Sequence, residues 1–411
     1  MPGVSQVDVT IMDAAAEPLY LDYAASTPPA EEVVDAMLPW LSGQHANPHA
    51  EHWHGARASR AIDDAREAIA MLVGGDPEGV IFTSGATEAN NLALKGLLDP
   101  DRSRIWLSGI EHKSLLEPAR ALADQGISIT TLHVDALGRI EASGLKTQLR
   151  ESDATPGLVA VGHGNNEIGT VQDVAALARV AHEHGHLLHV DASQTAGHWP
   201  LSAVEDELDL ICLSSHKMYG PAGIGALYVD PGLLQQLRPM MHGGGQQQGI
   251  RSGTVAPFLA VGFGAAAALA ERAAVEHRLH LQALGAAFLA QLNAQGLVYS
   301  LLGDPVNRIP GHVSLHIPGV AADDVLGRLL PHLSASSGAA CASGELRASH
   351  ALRALGLDEN QASQVIRFSF GRSSRLEEAG EAAMRLLEAI QRIHALQRPE
   401  AGWGSQACSA T

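Results

Sequence analysis

The chain has 411 residues, of which 46% are hydrophobic and 18% are charged, a composition typical of an ordinary globular α/β protein. Its formal net charge of −18 at pH 7 disfavours direct contact with nucleic acid or with an anionic membrane surface. It contains no uncharged apolar run long enough to span a bilayer, and its first residues lack the pattern of a signal peptide. We therefore expect a cytoplasmic protein that does not enter a membrane.

Short apolar runs alternate with helical patterns between residues 78 and 230, which indicates a largely parallel sheet covered by helices. Apolar helix faces precede Gly126 and Gly185, and glycine commonly ends a helix. The alanine-rich stretch from Phe258 to Ala274 predicts a long helix leaving this region. Strands are predicted at residues 80–83, 105–107, 127–134, 158–161, 187–190, 208–213 and 224–229.

A second, smaller domain is predicted beyond the long helix, with strands near 313–317 and 365–369. The two ends of the chain, residues 1–15 and 398–411, show no strong periodicity. We expect four parts: an N-terminal segment that packs with the small domain, a large domain, a small C-terminal domain and a loose tail, at residues 1–27, 28–272, 273–397 and 398–411.

The stretch from Thr83 to Glu88 joins the end of a predicted strand to the start of a helix. Gly85 permits a tight turn, and the free amides of the first helical turn, including those of Ala86 and Thr87, can bind an anion at the positive end of the helix dipole. The pattern predicts a phosphate site. A plain helix cap explains this stretch equally well when it is considered alone.

A carboxylate and a lysine follow two other predicted strands. Asp191 ends the strand at residues 187–190, and Lys217 follows the strand at 208–213. Ligands bind beyond the carboxyl ends of parallel strands, and this pair suits pyridoxal phosphate, with a Schiff base to the amine and the carboxylate at the pyridinium nitrogen. Singly, Lys217 could be a solvated loop residue and Asp191 a helix cap. Together with Gln194 they favour the cofactor.

Further polar residues follow neighbouring strands. His112 could stack on a cofactor ring or simply cap the next helix, and Asn166 could orient a ring hydroxyl or lie in a turn. Four histidines between residues 45 and 54 suggest a metal site, but His52 and His54 lack a regular helical i, i+4 spacing and no thiolate is nearby. We predict no metal site.

These motifs together resemble the cysteine desulfurases of the NifS/IscS type, which are fold-type I pyridoxal-phosphate enzymes of the class-V aminotransferase family. The similarity implies an α/β fold with a large domain, whose mainly parallel sheet is flanked by helices, and a smaller α/β C-terminal domain. The matching stretches are Tyr20–Pro28, Thr83–Glu88, Glu111–Lys113, Asn165–Gly169, His189–Gln194, Ser215–Gly220, Gly243–Gly245, Arg251–Thr254 and Ser336–Cys341.

The resemblance implies a role for each matching residue. Lys217 would be both cofactor anchor and catalytic base, His112 would stack on the ring and shuttle protons, and Arg367 would grip the substrate carboxylate with help from Asn47. The remaining residues would bind the cofactor: Asp191 at the ring nitrogen, Gln194 and Asn166 at the ring oxygen, and Ala86, Thr87, Ser214, His216 and, from the partner subunit, Thr254 at the phosphate.

The cysteines narrow the expected reaction. Cys341 lies among small residues, in a segment suited to a mobile loop, whereas Cys212 is expected to pack in the core and Cys408 to be inert. By resemblance, Cys341 would attack the sulfur of L-cysteine, leaving L-alanine and an enzyme persulfide. A homodimer would then pass the sulfur to an acceptor protein for iron–sulfur cluster assembly, nucleic-acid thiolation or another sulfur pathway.

Two other functions remain open from the sequence. A selenocysteine lyase, or another class-V lyase or aminotransferase, would keep Lys217 and Asp191 but need not use Cys341. A non-catalytic binding platform would keep the fold alone. The residues Gln246–Gln248, Glu345 and Arg347 depart from the family pattern near the site, so the sequence does not name the sulfur acceptor.

Overall fold

The computed structural model describes residues 17–98, 103–151, 155–337 and 349–397. Cys341, Cys408 and the two chain ends without strong periodicity, residues 1–15 and 398–411, lie outside the described residues, whereas residues 17–27 of the predicted N-terminal segment are described. The strands are β1 (Leu19–Tyr20), β2 (Val80–Thr83), β3 (Arg104–Ser108), β4 (Ser128–Leu132), β5 (Gly157–Gly162), β6 (Leu187–Asp191), β7 (Leu210–Ser214), β8 (Gly225–Val229), β9 (Ser300–Leu301), β10 (His312–His316), β11 (Leu333–Ser334), β12 (Ser336–Ser337) and β13 (Val365–Ser369).

The α-helices connect these strands and cover the sheets. Short 3-10 turns lie between some of them, including Ser215–Lys217 directly after β7. The helices are α1 (Glu31–Ser42), α2 (Trp53–Leu72), α3 (Ala86–Leu97), α4 (Lys113–Ala123), α5 (Ala142–Glu151), α6 (Val174–Glu183), α7 (Pro257–Ala294), α8 (Ala322–Leu329), α9 (His350–Ala354), α10 (Glu359–Ala362) and α11 (Leu376–Gln397).

The larger sheet has the strand order β2-β8-β7-β6-β5-β3-β4. Strand β8 is antiparallel to both of its neighbours, and the pairs from β7 to β4 are parallel. The predicted parallel sheet is therefore correct, with one antiparallel strand inserted. Strand β4 lies on one side of β3, and β5, β6 and β7 follow on the other, so the strand order reverses between β3 and β5, whose carboxyl ends border a crevice of the kind that binds ligands.

Both faces of the large sheet are buried, which explains the nearly continuous apolar runs of its strands. Alternate residues of β7 enter opposite cores: Ile211 and Leu213 pack on the face covered by α2, α6 and α7, whereas Leu210 and Cys212 pack on the face covered by α3 and α4. Helix α6 begins at an Asp173 cap, which accepts a hydrogen bond from the Ala176 amide over 3.1 Å. The side-chain alternation thus anchors the sheet between two helical layers.

The smaller sheet has the order β12-β13-β10-β9 and is antiparallel. Its apolar face packs against α8, α11 and the second half of α7 in a separate core that contains Phe288 and Phe368. Strand β1 pairs in parallel with β11, so the described beginning of the chain contacts this second region. The packing of residues 1–27 with the small domain and the boundaries of the domains stay predictions.

Helix α7 is longer than the sequence pattern predicts. It continues from Pro257 to Ala294, through the proposed boundary at residues 272 and 273. Phe263 packs in the large-sheet core and Phe288 in the second core, so the same helix contributes to both. By length and composition α7 alone among the described helices could span a membrane, but a core helix passes the same test, and these contacts are those of a core helix.

Candidate active site

A cavity of about 440 Å³ opens beyond the carboxyl ends of the large-sheet strands. Its walls come from turns that follow different strands, which is why residues far apart in the sequence meet there. Of the predicted site residues, those that line the cavity are Ala86, Thr87, His112, Asn166, Asp191, Gln194, Ser214, His216 and Lys217. The structure thus places nine of the candidate residues around one cavity. Their individual roles stay predictions.

The turn between β2 and α3 has the geometry of an anion cradle. Gly85 has φ 151° and ψ −178° and caps α3 without a side-chain hydrogen bond, a backbone conformation that is essentially restricted to glycine. The first-turn amides of Ala86 and Thr87 have no intrahelical acceptor. A Cβ atom built on Gly85 would meet no atom within 4 Å, so open space lies against these donors. A phosphate group fits this end of the cavity.

Asp191 forms the floor of the cavity and is held by donors on both carboxylate oxygens. Asn90 Nδ2 donates to Oδ2 over 2.7 Å, and the Ser193 amide donates to Oδ1 over 3.0 Å. The residue is only 8% exposed. These two hydrogen bonds fix the position of the carboxylate, so the cavity presents a carboxylate held in place, a group suited to pair with a ring nitrogen that carries a proton.

Lys217 lies at the end of the short turn after β7, with its amine inside the cavity wall. Its Nζ donates to the backbone carbonyl of Ala24 over 2.5 Å. Burial lowers the pKa of Lys217 to about 8, aided by the nearby Arg367 charge and opposed by Asp191 and Asp22. The lowered pKa increases the fraction of the amine that is neutral and nucleophilic near neutral pH, and the neutral amine is the form that binds an aldehyde.

His112 caps α4 and is exposed within the cavity. Its Nδ1 accepts from the Ser114 amide over 3.1 Å and lies 2.8 Å from Ser114 Oγ. The cavity walls remove part of its water, and this desolvation lowers the pKa of His112. The capping bond uses Nδ1 and the ring lines the cavity, so the cap that the sequence offered as one alternative is present, and the stacking of His112 on a cofactor ring stays a prediction.

Arg367 lies on β13 and approaches the site from the second sheet. Its Nη2 contacts Asp22 Oδ1 over 2.6 Å, and its Nη1 donates to the Asn166 carbonyl over 2.8 Å. Arg367 does not appear in the cavity wall itself, but Asn166 does. Because Arg367 Nε is buried without a hydrogen-bond partner, the guanidinium retains donor capacity for an incoming carboxylate.

Residues 20–27, which we call the N-terminal strap, contact several site residues at once. The Ala24 carbonyl accepts from Gln194 Nε2 over 2.9 Å in addition to Lys217. Ser26 Oγ lies 3.1 Å from His216 Nδ1. The strap thereby contacts Arg367 through Asp22, Lys217 and Gln194 through Ala24, and His216 through Ser26. Sequence reasoning recognised this stretch as a motif but assigned no role to its residues.

The other predicted residues are not brought to the cavity in this chain. Asn47 and Thr254 are exposed and do not line the cavity. Thr254 was expected to act on a partner's site, which its exposure permits. Cys341 lies outside the described residues. Cys212 is fully buried, and burial followed by the Asp191 charge raises the pKa of its thiol, so the prediction of a core cysteine is correct.

The histidine-rich stretch has a local structural role. His52 caps α2, and its Nδ1 accepts from the Gly55 amide over 3.1 Å. No group of three or more potential metal-ligating side chains is found among residues 17–98, 103–151, 155–337 and 349–397. The capping bond accounts for the position of His52 without a metal ion.

Glu111 is a buried carboxyl group that the sequence analysis did not single out. Ser108 Oγ donates to Oε1 over 2.6 Å and the Gly162 amide donates to Oε2 over 2.7 Å. Burial raises the pKa of Glu111 to about 7, against the effect of these two hydrogen bonds. Since Ser108 belongs to β3 and Gly162 to β5, these two hydrogen bonds connect the two strands through Glu111. Glu111 also directly precedes His112 and lines the cavity.

The protonation of Glu111 makes a testable contribution to stability. An unfolded chain releases this proton near the ordinary value of 4.5, whereas the folded chain keeps it to about pH 7, so the folded state binds more protons in this window and its stability falls as pH rises. Glu111→Gln mimics the protonated form. As the pH rises from 5 to 8, we expect its free energy of unfolding to increase relative to that of the wild type by on the order of 3 kcal/mol. Urea unfolding at both pH values measures this.

Glu117→Gln provides the control, because Glu117 is exposed on α4 and pairs only with Arg120 at the surface. Its stability difference from the wild type should not change by more than a few tenths of a kcal/mol over this range. A constant difference between Glu111→Gln and the wild type at pH 5 and 8 would show that Glu111 is ionised throughout.

Comparison with known proteins gives the family. The family model described as "Aminotransferase class-V" matches residues 19–380. The chain belongs to the class-V aminotransferases. Members of this family depend on pyridoxal phosphate. The anion cradle, the Asp191 carboxylate and the Lys217 amine of this class-V aminotransferase fit three parts of that cofactor: the phosphate, the ring nitrogen and the aldehyde.

Individual relatives are similar along most of the chain. The cysteine desulfurase IscS of Photobacterium profundum is 38% identical over 382 residues, which are 92% of this chain and 93% of the relative. A solved NifS-like protein is 29% identical with a TM-score of 0.84 and covers 91% of this chain and 100% of its own. The structure titled "SspA in complex with cysteine" is 34% identical, has a TM-score of 0.75 and covers 86% and 99%. These relatives confirm the resemblance and the fold class predicted from the motifs.

Proposed function

We propose that this chain is a pyridoxal-phosphate-dependent cysteine desulfurase that converts L-cysteine to L-alanine and transfers the sulfur to Cys341. The observation that carries the proposal is the meeting of Lys217, Asp191 and the α3 amides around one cavity. The named desulfurase relatives, of which IscS from Photobacterium profundum is one, support the choice of reaction within the family. A binding platform without catalysis would not require a lysine with a lowered pKa beside a fixed carboxylate.

The cavity would hold the cofactor through contacts at its opposite ends. The amides of Ala86 and Thr87, with Ser214 and His216, would bind the phosphate, and Thr254 of a second copy would complete this set. Asp191 would pair with the ring nitrogen, Gln194 and Asn166 would contact the ring oxygen, and Lys217 would hold the aldehyde carbon. Pyridoxal phosphate, when bound, draws electrons away from the Cα atom of the substrate.

The residues around the cofactor would orient the substrate and move its protons. Arg367 would bind the substrate carboxylate, and Asn47 would assist from the site entrance. The amine of Lys217, whose pKa burial lowers to about 8, would remove the Cα proton once the substrate has released it from the cofactor. His112 would return a proton within the cavity, because an imidazole titrates near neutral pH.

Cys341 would complete the sulfur transfer. Its thiolate attacks the sulfur of the bound cysteine, a new S–S bond forms at Cys341, and the substrate Cβ–S bond breaks with its electron pair going to the carbon side. Protons then replace the lost sulfur, so that L-cysteine and one enzyme thiol become L-alanine and one enzyme persulfide without an external oxidant. An acceptor protein or a small thiol would later remove the sulfur.

The direct test incubates the purified holoenzyme with L-cysteine and a reductant and measures alanine and sulfide in parallel. Equal amounts of both products are expected. L-selenocysteine in place of L-cysteine distinguishes the alternative lyase, since turnover restricted to the selenium substrate would favour that assignment. Formation of neither alanine nor sulfide by protein that carries the cofactor would contradict desulfurase activity.

The same proposal includes a homodimer in the cytoplasm that serves a sulfur acceptor. Support for the dimer comes from Thr254, which is exposed in the single chain although its motif implies a phosphate contact. The net charge of −18 supports sulfur delivery through a protein acceptor rather than direct nucleic-acid binding. Sedimentation of the holoenzyme tests the dimer.

Arg367→Lys is expected to raise the KM for L-cysteine by about tenfold or more with a smaller change in kcat. Arg367 contacts Asp22 and the Asn166 carbonyl at the same time, and a lysine ammonium cannot retain this planar arrangement while also binding a carboxylate bidentately. Steady-state kinetics with L-cysteine measure both constants. Arg375→Lys is the matched control, because Arg375 forms an exposed pair with Glu378, and its KM and kcat should resemble those of the wild type. An unchanged KM in Arg367→Lys would show that Arg367 does not bind the substrate.

A further inference from the structure

A chain of buried hydrogen bonds connects Asp191 to His112 through two residues that the proposed reaction does not use. Asn90 Nδ2 lies 2.7 Å from Asp191 Oδ2 and 2.9 Å from Ser114 Oγ. Ser114 Oγ lies 2.8 Å from His112 Nδ1. Asn90 is completely buried and Ser114 is 5% exposed, so bulk water does not replace these contacts. Asp191 and His112, the first and last residues of this series of hydrogen bonds, both line the cavity.

The carboxylate determines the direction of every bond in this chain. An ionised Asp191 can only accept, so the amide of Asn90 must turn its Nδ2 toward Asp191 and toward Ser114. Ser114 Oγ accepts the second Asn90 hydrogen and is therefore free to donate its own hydrogen to His112 Nδ1. The orientation of a serine hydroxyl is thus set by a carboxylate that it does not touch.

A second histidine supports the same orientation of Asn90. His189 Nε2 lies 2.8 Å from Asn90 Oδ1. Because burial lowers the pKa of His189 to about 4, the ring is neutral at pH 7, and its single proton must lie on Nε2 in order to donate to the amide oxygen. His189 and Asp191 therefore hold opposite ends of the Asn90 amide, and a flipped amide would lose both bonds.

His112 receives two donors on the same nitrogen. The Ser114 amide donates to Nδ1 over 3.1 Å, and the oriented Ser114 hydroxyl donates to it as well. We propose that Asn90 and Ser114 are positioning residues that keep Nδ1 of His112 unprotonated, so that the ring carries its proton on Nε2, where it can be given to the reacting substrate. The transfer of this proton to the substrate rests on the proposed function. The tautomer itself does not, because it exists in the enzyme without turnover.

The charged and titratable groups that face His112 come from several elements and act in both directions. Asp191 favours the imidazolium form, whereas Lys217, His350 and Lys113 disfavour it. The Ser114 hydroxyl adds a donor to Nδ1, which stabilises the neutral ring. Removing this donor should raise the pKa of His112 and increase the fraction of rings that carry a proton on Nδ1.

The test is nitrogen NMR of the holoenzyme labelled with ¹⁵N in its histidine rings, with His112 assigned by comparison with His112→Gln. In the wild type we expect Nε2 in the protonated range and Nδ1 in the unprotonated range. In Ser114→Ala we expect the Nδ1 signal to move toward the protonated range and the His112 titration to move to higher pH. Ser114→Thr, which keeps a hydroxyl, should restore the wild-type signals.

Thr195→Val is the matched control, because Thr195 Oγ1 lies 2.9 Å from Nδ1 of the buried His163 and belongs to a different hydroxyl–imidazole pair. It should change the His163 signals and leave those of His112 in place. A wild-type His112 protonated on Nδ1 would overturn the proposal even if no variant folds, and so would an unchanged His112 tautomer and titration in Ser114→Ala. Neither result depends on alanine formation, so failure of this inference is distinguishable from failure of the proposed function.

Discussion

Lys217→Ala is expected to reduce alanine formation from L-cysteine by on the order of 10³-fold or more and to remove the visible absorbance of the covalently bound cofactor. Lys217 is the described lysine that lines the cavity, and burial with the adjacent Arg367 charge lowers its pKa to about 8. Its amine serves as both anchor and base in the proposed reaction, so one substitution removes two functions. Absorbance spectra and an alanine assay on the same preparation measure them separately.

Lys146→Ala is the control for the loss of a lysine, because Lys146 forms a surface pair with Glu183 over 2.7 Å and such pairs contribute about 1 kcal/mol or less to stability. It should keep both the absorbance and the activity. A Lys217→Ala protein with the absorbance and turnover of the wild type would exclude Lys217 from both roles and would reassign the cavity.

Cys341→Ser is expected to reduce sulfide release by on the order of 10³-fold or more, while the cofactor absorbance of the protein is retained. Serine has the size of cysteine but forms no persulfide, so the sulfur acceptor is lost and the cavity is left intact. Mass spectrometry of the cysteine-treated wild type should find one additional sulfur atom on the peptide that contains Cys341. That peptide should be unmodified in Lys217→Ala.

Cys212 gives this experiment an internal control. Its thiol is fully buried, and burial raises its pKa well above the ordinary value, so we expect no additional sulfur on its peptide. Wild-type sulfide release from Cys341→Ser would contradict the persulfide mechanism, and sulfur on the Cys212 peptide alone would show that Cys341 is not the sulfur acceptor.

Much of the site could be predicted from sequence because the decisive signals are local. Asp191 directly follows an apolar run and Lys217 comes four residues after another, and parallel strands bring their carboxyl ends to one edge. The turn at Gly85 is likewise readable from the six residues that contain it. The structure confirms that these segments meet, and it adds that the Lys217 amine is held by the Ala24 carbonyl.

The contacts of Asn90 and Asp22 could not be predicted, because each of these residues meets a partner that is distant in the chain. Asn90 contacts a carboxylate 101 residues away, and its only sequence signal is a polar residue beside Ala89 on a helix whose neighbouring positions are buried. Asp22 contacts Arg367 across 345 residues. Local periodicity does not report which of many polar residues will meet after folding.

Element boundaries differ where tertiary contacts decide them. The strand predicted at residues 127–134 is shorter in the structure, Ser128–Leu132, because β4 is an edge strand that pairs only with the five residues of β3. Helix α7 runs 20 residues past its predicted end at Ala274, to Ala294. Its second half places Leu281, Leu284 and Phe288 at helical spacing in the second core, which a pattern based on alanine content does not detect.

The N-terminal strap also has a consequence for the synthesis of the protein. A ribosome makes Asp22 early, but Arg367, its partner, is made 345 residues later, which corresponds to roughly 20 to 70 s at ordinary elongation rates. Strand β1 similarly must wait for β11. The partners Gln194, His216 and Lys217 are made well before Arg367, so the strap can contact them while Asp22 still lacks its arginine, and its full set of contacts exists only when nearly the whole chain has emerged.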